Sequence, residues 1–193
     1  QIDSIITTNY DFLFEDAFGD GITKCTGVTF KKTEKGKVNL FKIHGDTSDP
    51  NSIIITSKDY AKFYNNLNTI LWNKVSSILA EKSVIFVGYS LEDKNIQDVF
   101  ERIYKQIGSS GKEFFIVIPS LQEHKLKHLN KICKTTHISM TGEDFFDYVE
   151  KEIRRYIIID AITRNISVEN AYKICREHGI TPTITNIPNG DTT

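Results

Sequence analysis

Short apolar runs recur along this chain, each stopped by polar residues and followed by apolar positions at helical spacing. Ile2 to Thr7 reads as a strand that runs into Thr-Thr-Asn-Tyr-Asp. Leu13, Phe14, Ala17 and Phe18 then mark one helical face, which Gly19 and Gly21 stop. The charged, glycine-punctuated segment from Val28 to Lys37 reads as a hairpin around Glu34-Lys35-Gly36. Val38 to Ile43 forms another strand, Asp49-Pro50-Asn51 a turn, and Ile53 to Thr56 a short β-branched strand. Ser57 is placed to cap a helix through Tyr60, Phe63 and Tyr64. A helix from about Thr69 to Glu81 follows, with Ile70, Leu71, Val75, Ile78 and Leu79 on one side.

The same alternation continues. Ser83 to Gly88 is apolar after its first residue, as expected of a central parallel strand buried on both faces. Ser90 with Asp93 has the spacing of a capping box before Ile96, Val99, Phe100, Ile103, Tyr104 and Ile107, and Gly108 ends that helix. Phe114 to Ile118 is a buried strand. Ser120 with Glu123 starts a helix to about Lys131, and Thr136 to Ser139 is an edge strand. Thr141 with Asp144 starts a strong helix through Phe145, Phe146, Val149, Ile153 and Tyr156. Strand and helix in alternation define an α/β fold: three layers, Rossmann-like, a largely parallel sheet with helices on both faces. The pattern weakens from Asp160. A short helix from Ser167 to His178 precedes a Thr-, Pro-, Asn- and Gly-rich tail. The expected division is therefore a domain over 1–159 and a linker or lead into a further module over 160–193.

Composition narrows the class. The 193 residues suffice for one domain with a real core. The net charge of −1 provides no global field towards nucleic acid or a membrane surface, and no apolar run approaches the length of a bilayer span. Cys25, Cys133 and Cys175 are odd in number and far apart, with no CxxC pair. That spacing signals neither a disulfide framework nor a thiolate zinc site, and it fits a reducing cytoplasm. His124 and His128 lie one helical turn apart among lysines, which reads as a solvated face rather than a metal site. The chain opens on Gln1 directly at a strand, so a missing amino-terminal portion is expected.

Candidate chemistry lies at three strand ends: Thr7 to Asp11, Lys42-Ile43-His44-Gly45-Asp46, and Gly88-Tyr89-Ser90. Open α/β sheets bind ligands at the carboxyl edge of their strands, so three polar stops there indicate one site. Each residue also has a plain structural role available. Asn9 and Asp11 can cap the following helix, Ser90 can be a simple N-cap, and His44 can be a turn histidine.

Taken together, the three motifs resemble the sirtuin-like fold, and in particular the sirtuin-like NAD-hydrolysing domains of bacterial anti-phage defence proteins. Thr7-Thr8-Asn9-Tyr10-Asp11 lines up with the sirtuin Thr-Gln-Asn-(Ile/Val)-Asp motif, His44-Gly45 with the catalytic His-Gly, and Gly88-Tyr89-Ser90 with Gly-Thr-Ser at the nucleotide side. The strings TTNYDFLFE, KIHGD and GYSLEDKNI look more like the defence branch than the deacetylases. The resemblance covers about Ile2 to Ile159. Two features depart from the family. The glycine-rich phosphate loop that precedes the Asn motif is absent, and no cysteine lies between Asp46 and Val87, where zinc-bearing deacetylases carry two CxxC pairs.

The resemblance implies an NAD glycohydrolase, with NAD as substrate, no metal, and NAD depletion as its role in phage defence. It makes Asn9 and His44 the catalytic pair, and Thr8, Asp11, Gly88 and Ser90 binding residues. It also implies a homo-oligomer, or a sensor domain or partner protein beside it; the charge balance and the lack of a long apolar run point to no nucleic-acid or membrane partner. Two other readings remain open at this point: a non-catalytic module that binds NAD or ADP-ribose, and an NAD-dependent protein deacylase, against which the missing cysteine pairs speak.

Overall fold

The computed structural model describes residues 2–29, 31, 34–65, 69–89, 97, 101–105, 112–164 and 167–177. The described residues fall into two compact units. One takes in Gln1–Ile85, Ser90–Phe115 and Glu123–Thr136, the other Phe86–Tyr89, Ile116–Gln122 and His137–Thr193. The expected capping box at Ser90 and Asp93, the helix start at Ile96 and the tail from Gly179 lie outside the described residues.

The first sheet contains β1 (Ser4–Thr7), β2 (Ile22–Thr26) and β3 (Val38–Lys42) in the order β1-β3-β2. Both pairings are parallel, with Thr7 opposite Lys42 and Thr26 opposite Lys42 on the other side. The hairpin expected over Val28 to Lys37 is therefore not one. Lys35 and Gly36 do turn, with the Lys37 N–H donating to the Glu34 carbonyl at 3.3 Å, but the strands they join run in the same direction. The strand β2 has no signal in the hydrophobic pattern: Ile-Thr-Lys-Cys-Thr is too polar to read as a run, although Thr23, Cys25 and Thr26 are buried. As the central strand, β3 buries four consecutive residues, Asn39 to Lys42. That is the two-faced burial of a parallel strand covered by helices.

Three helices belong to this part of the chain. The helix α1 (Leu13–Phe18) is shorter than the spacing predicts and ends where Gly19 turns to φ 50°. It buries no residue, and Leu13 of its expected apolar face is 69% exposed. The helix α2 (Ser57–Asn65) is capped by Thr56 rather than Ser57. The Thr56 hydroxyl accepts from the Asp59 N–H at 3.2 Å, and the Asp59 carboxylate accepts from the Thr56 N–H at 2.9 Å. This reciprocal pairing is a capping box. The helix α3 (Ile70–Glu81) is capped by Thr69 and buries Leu71, Trp72, Val75 and Leu79. The exposed Ile70 shows that the seam is rotated one residue from the expected face. Each such side chain removed from water contributes about 1.5–3 kcal/mol before ordering entropy is counted.

The second sheet has the order β4-β5-β6, from β4 (Val84–Val87), β5 (Phe114–Val117) and β6 (Thr135–Ile138). Val84 and Gly88 donate to the carbonyls of Glu113 and Val117, and Phe114 and Ile118 to those of Lys134 and Ile138. Both bond sets advance in step, so these strands are parallel as well. Here β5 is central and buried, while β4 is an edge whose Ile85 is half exposed, not the strand buried on both faces that its composition predicts. The helix α4 (Glu123–Asn130) lies between β5 and β6 in sequence. The helix α5 (Gly142–Thr163) carries the expected Thr141–Asp144 cap, with the Asp144 N–H donating to the Thr141 hydroxyl at 3.0 Å, and packs on α6 (Val168–Glu177). Parallel sheets flanked by helices make this an α/β chain of the Rossmann-like class. No described helix is long and apolar enough to cross a membrane.

Candidate active site

Because β1 and β3 are adjacent and parallel, their two polar stops emerge at the same level. Thr7 lies opposite Lys42, and the Ile43 N–H donates to the Thr7 carbonyl at 3.0 Å. Asn9 stands two residues past Thr7, and His44 two residues past Lys42, so the pair leaves one carboxyl edge in register.

The Asn9 loop is fixed through its backbone. The Asn9 N–H donates to the Thr7 hydroxyl at 3.0 Å. Tyr10 is tied down at both ends: its phenol donates to the Ile54 carbonyl at 2.7 Å, and its own carbonyl accepts from the Thr47 hydroxyl and from the Lys42 ammonium, each at 3.2 Å. Asp11 accepts from the Leu13 N–H at 3.2 Å, an Asx turn at the entry to α1, whose N-cap position is Phe12 rather than Asn9 or Asp11. The Asn9 side chain is exposed and meets no hydrogen-bond partner among the described residues. Thr8 beside it is half-buried.

His44 is held in the opposite manner. The residue is 5% exposed. Its ring meets Tyr60 edge-on at 5.4 Å and Phe63 at 6.1 Å, both from α2. Its carbonyl accepts from the Ile54 N–H at 2.9 Å, so Ile54 bridges the His44 turn and the Tyr10 phenol. Ile53 to Thr56, expected as a strand, is instead irregular: Ile54 bonds to these two loops, while the Ile53 N–H donates to the Pro50 carbonyl and the Ile55 and Thr56 N–H groups to the Asp59 carboxylate. Gly45 makes the turn possible. Its φ is 98°, and a Cβ there would lie 2.3 Å from the Ser52 carbonyl oxygen, with no room to give.

A charged cluster surrounds the turn. Asp46, fully buried, accepts from Lys24 at 2.7 Å, Lys42 at 2.8 Å, the Ser48 N–H at 2.7 Å and the Ser48 hydroxyl at 2.5 Å. Glu15 of α1 receives Lys42 at 3.2 Å and Lys24 at 3.4 Å on one oxygen. Both ammonium groups also sit over the Phe12 ring, at 5.0 and 5.4 Å. Burial alone would raise the Asp46 carboxyl, but the hydrogen bonds from Lys24, Lys42 and Ser48 outweigh it and hold the group well below the usual carboxylate range. Burial opposes charge on Lys24 too, yet the Asp46 bond raises it above the ordinary ammonium value. Sequence reasoning missed this cluster. Its one signal was a lysine between Phe41 and Ile43, at the polar end of an apolar run.

Of the other expected site residues, Gly88 ends β4 in the second unit with φ 65°, and its N–H donates to the Val117 carbonyl at 3.4 Å. Ser90 lies outside the described residues. Among the described residues no three His, Cys, Asp or Glu side chains gather into a metal-holding group. The cysteines are buried and free, and burial pushes the Cys25 and Cys133 thiols up, away from nucleophilic thiolate.

An α/β chain with an asparagine and a histidine in register at the carboxyl edge of a parallel sheet has the layout of a nucleotide-handling domain. The chain belongs to the SIR2-like domain family, whose model matches residues 3–141. It is 27% identical over 136 residues to the NAD(+) hydrolase ThsA of Cytobacillus dafuensis, covering 67% of this chain and 27% of that protein. It is 26% identical over 152 residues to the NAD(+) hydrolase ThsA of Enterococcus faecium, covering 76% and 29%. To the defense-associated sirtuin 2 of Bacillus subtilis it is 27% identical over 158 residues, covering 76% and 16%. The chain thus spans under a third of the length of these relatives.

Proposed function

We propose that this domain cleaves NAD at its glycosidic bond, releasing nicotinamide and ADP-ribose, and that the protein carrying it depletes NAD in defence against phage. The observation that carries the reading is the register of Asn9 and His44 at one sheet edge, in a chain similar to proteins named NAD(+) hydrolase. Nicotinamide leaves as a neutral group from a cationic ring, so no strong acid is needed to expel it. The protein has to hold the ribose, stabilise the oxocarbenium-like transition state and position a nucleophile. The free Asn9 amide offers both donor and acceptor to a ribose hydroxyl or a water. His44 is the proposed proton acceptor. Thr8, Asp11, Gly88 and Ser90 are the proposed binding residues, with Ser90 offered to a phosphate or ribose oxygen. A homo-oligomer, a fused sensor or a partner protein would supply the trigger, and the cytoplasm is the compartment where NAD depletion acts.

One observation favours a second reading. His44 is 5% exposed, with Tyr60 and Phe63 edge-on to its ring, and a ring so buried has little access to a reacting atom, which suits binding of NAD or ADP-ribose without turnover. Nicotinamide release from NAD by the full-length protein, beside its Asn9→Ala and His44→Ala variants, separates the two. Turnover abolished by both substitutions in folded protein establishes the hydrolase. Absence of turnover in the parent, with infected-cell extract supplied as trigger and NAD still bound, favours the binding module in its place.

A further inference from the structure

Lys42 is an unusual residue to find at the end of a central strand. It is 1% exposed, and an ammonium in that position is costly unless its protons are all received. Its three protons face four oxygens: Asp46 at 2.8 Å, Glu15 at 3.2 Å, and the carbonyls of Tyr10 at 3.2 Å and of Asp11. Two of those four belong to the residues directly after Asn9. The side chain therefore crosses from the strand that carries His44 to the loop that carries Asn9. Asp46 lies two residues past His44 on the same turn, so the Lys42–Asp46 pair straddles the histidine. The two ammonium groups of Lys24 and Lys42 balance the two carboxylates of Glu15 and Asp46, which leaves no net charge buried in the cluster.

We propose that Lys42, clamped by Asp46, is a positioning residue that holds the Asn9 loop in register with His44. A buried ion pair contributes little net stability compared with apolar packing, so its geometry matters more than its energy. Neither carbonyl of residues 10 and 11 lies on a β ladder; without the ammonium they lose a charged donor, and what holds the loop is neutral or local: Tyr10's phenol on Ile54, the Thr47 hydroxyl on Tyr10, the Asn9 N–H on Thr7 and the Leu13 N–H on Asp11. Displacement of a reacting group by about 1 Å is enough to slow a reaction about 100-fold. This inference rests on the hydrolase reading for its kinetic arm only.

The test is made in the full-length protein with Lys42→Met, Asn9→Ala and the double variant. Hydrogen–deuterium exchange over residues 8–12 is followed beside nicotinamide release. Lys42→Met is expected to lower kcat about 100-fold with KM little changed. The double variant should be no slower than Asn9→Ala alone, because Lys42 acts through Asn9. Exchange over 8–12 should rise while residues 38–41 stay protected. Losses in kcat that multiply in the double variant, or exchange over 8–12 that stays at the parent level, overturn the proposal. Asp46→Asn, which keeps the ammonium and removes its counter-charge, carries the same tests with the same signs if Lys42→Met does not fold. A parent that releases no nicotinamide defeats the hydrolase reading, while exchange still decides what Lys42 does.

Discussion

At Asn9 the backbone is anchored and the side chain is left to solvent; at His44 the side chain is packed and the turn beneath it is locked by a glycine. The two residues leave adjacent strands at the same level, so topology does not explain the difference. Their immediate neighbours do. Asn9 is followed by Tyr10, whose phenol and carbonyl spend their bonding on Ile54, Thr47 and Lys42. His44 is followed by Gly45 and faces the aromatic side of α2. A loop fixed by its main chain can present a reactive side chain at small structural cost. A ring that is part of the packing cannot be changed without disturbing the packing, so function and stability should separate at Asn9 and travel together at His44.

The largest effect is expected at the turn itself. Gly45→Ala places a Cβ against the Ser52 backbone at a positive φ, and should cost more than about 4 kcal/mol, at the far end of single-substitution effects. A thermal melt close to that of the parent would show that the His44 side of the comparison is not locked. Asp46→Asn comes next, at about 3 kcal/mol near neutral pH, because it breaks a buried pair. Its pH dependence has a defined sign. The folded carboxyl is held below its ordinary value of 3.8, so its stabilisation is present above that value and is lost as pH falls below it towards the folded pKa. Denaturation of Asp46→Asn and parent should converge as pH drops below about 4. A gap that stays constant with pH would sever Asp46 from its ammonium partners.

His44→Ala follows. Removing a buried ring should cost about 2 kcal/mol and at least about 100-fold in nicotinamide release. Asn9→Ala is the smallest in stability, within about 0.5 kcal/mol of the parent, yet it should lower release by about 100-fold or more. Equal melting losses in these two variants would break the contrast between an anchored loop and a packed ring.

What the chain reveals by pattern is local. The apolar runs ending at Thr7, Lys42 and Val87 announced three strands, and the polar residues after them announced Asn9 and His44 as neighbours at one edge. The strand β2 escaped because two of its buried residues, Thr23 and Thr26, are polar, and its pairing with β3 is a long-range contact invisible in a period-two pattern. Ile53 to Thr56 has the composition of a strand, but the amide and carbonyl of Ile54 go to His44 and Tyr10, and the amides of Ile55 and Thr56 go to Asp59. Lys42 read as the polar end of a run. Its burial depends on Glu15 and on the carbonyls of residues 10 and 11, all about thirty residues earlier in the chain. Weaker NAD binding in Gly88 and Ser90 variants is the expected outcome of their proposed binding role.

The only tryptophan of the chain, Trp72, stands edge-on to Phe63 at 5.2 Å, and Phe63 in turn meets His44. The indole is thus an optical reporter lying one ring away from the imidazole, and it needs no dye. Its emission wavelength follows the dryness of the space between α2 and α3. A red shift on adding nucleotide would register the moment that the sheath over the histidine loosens.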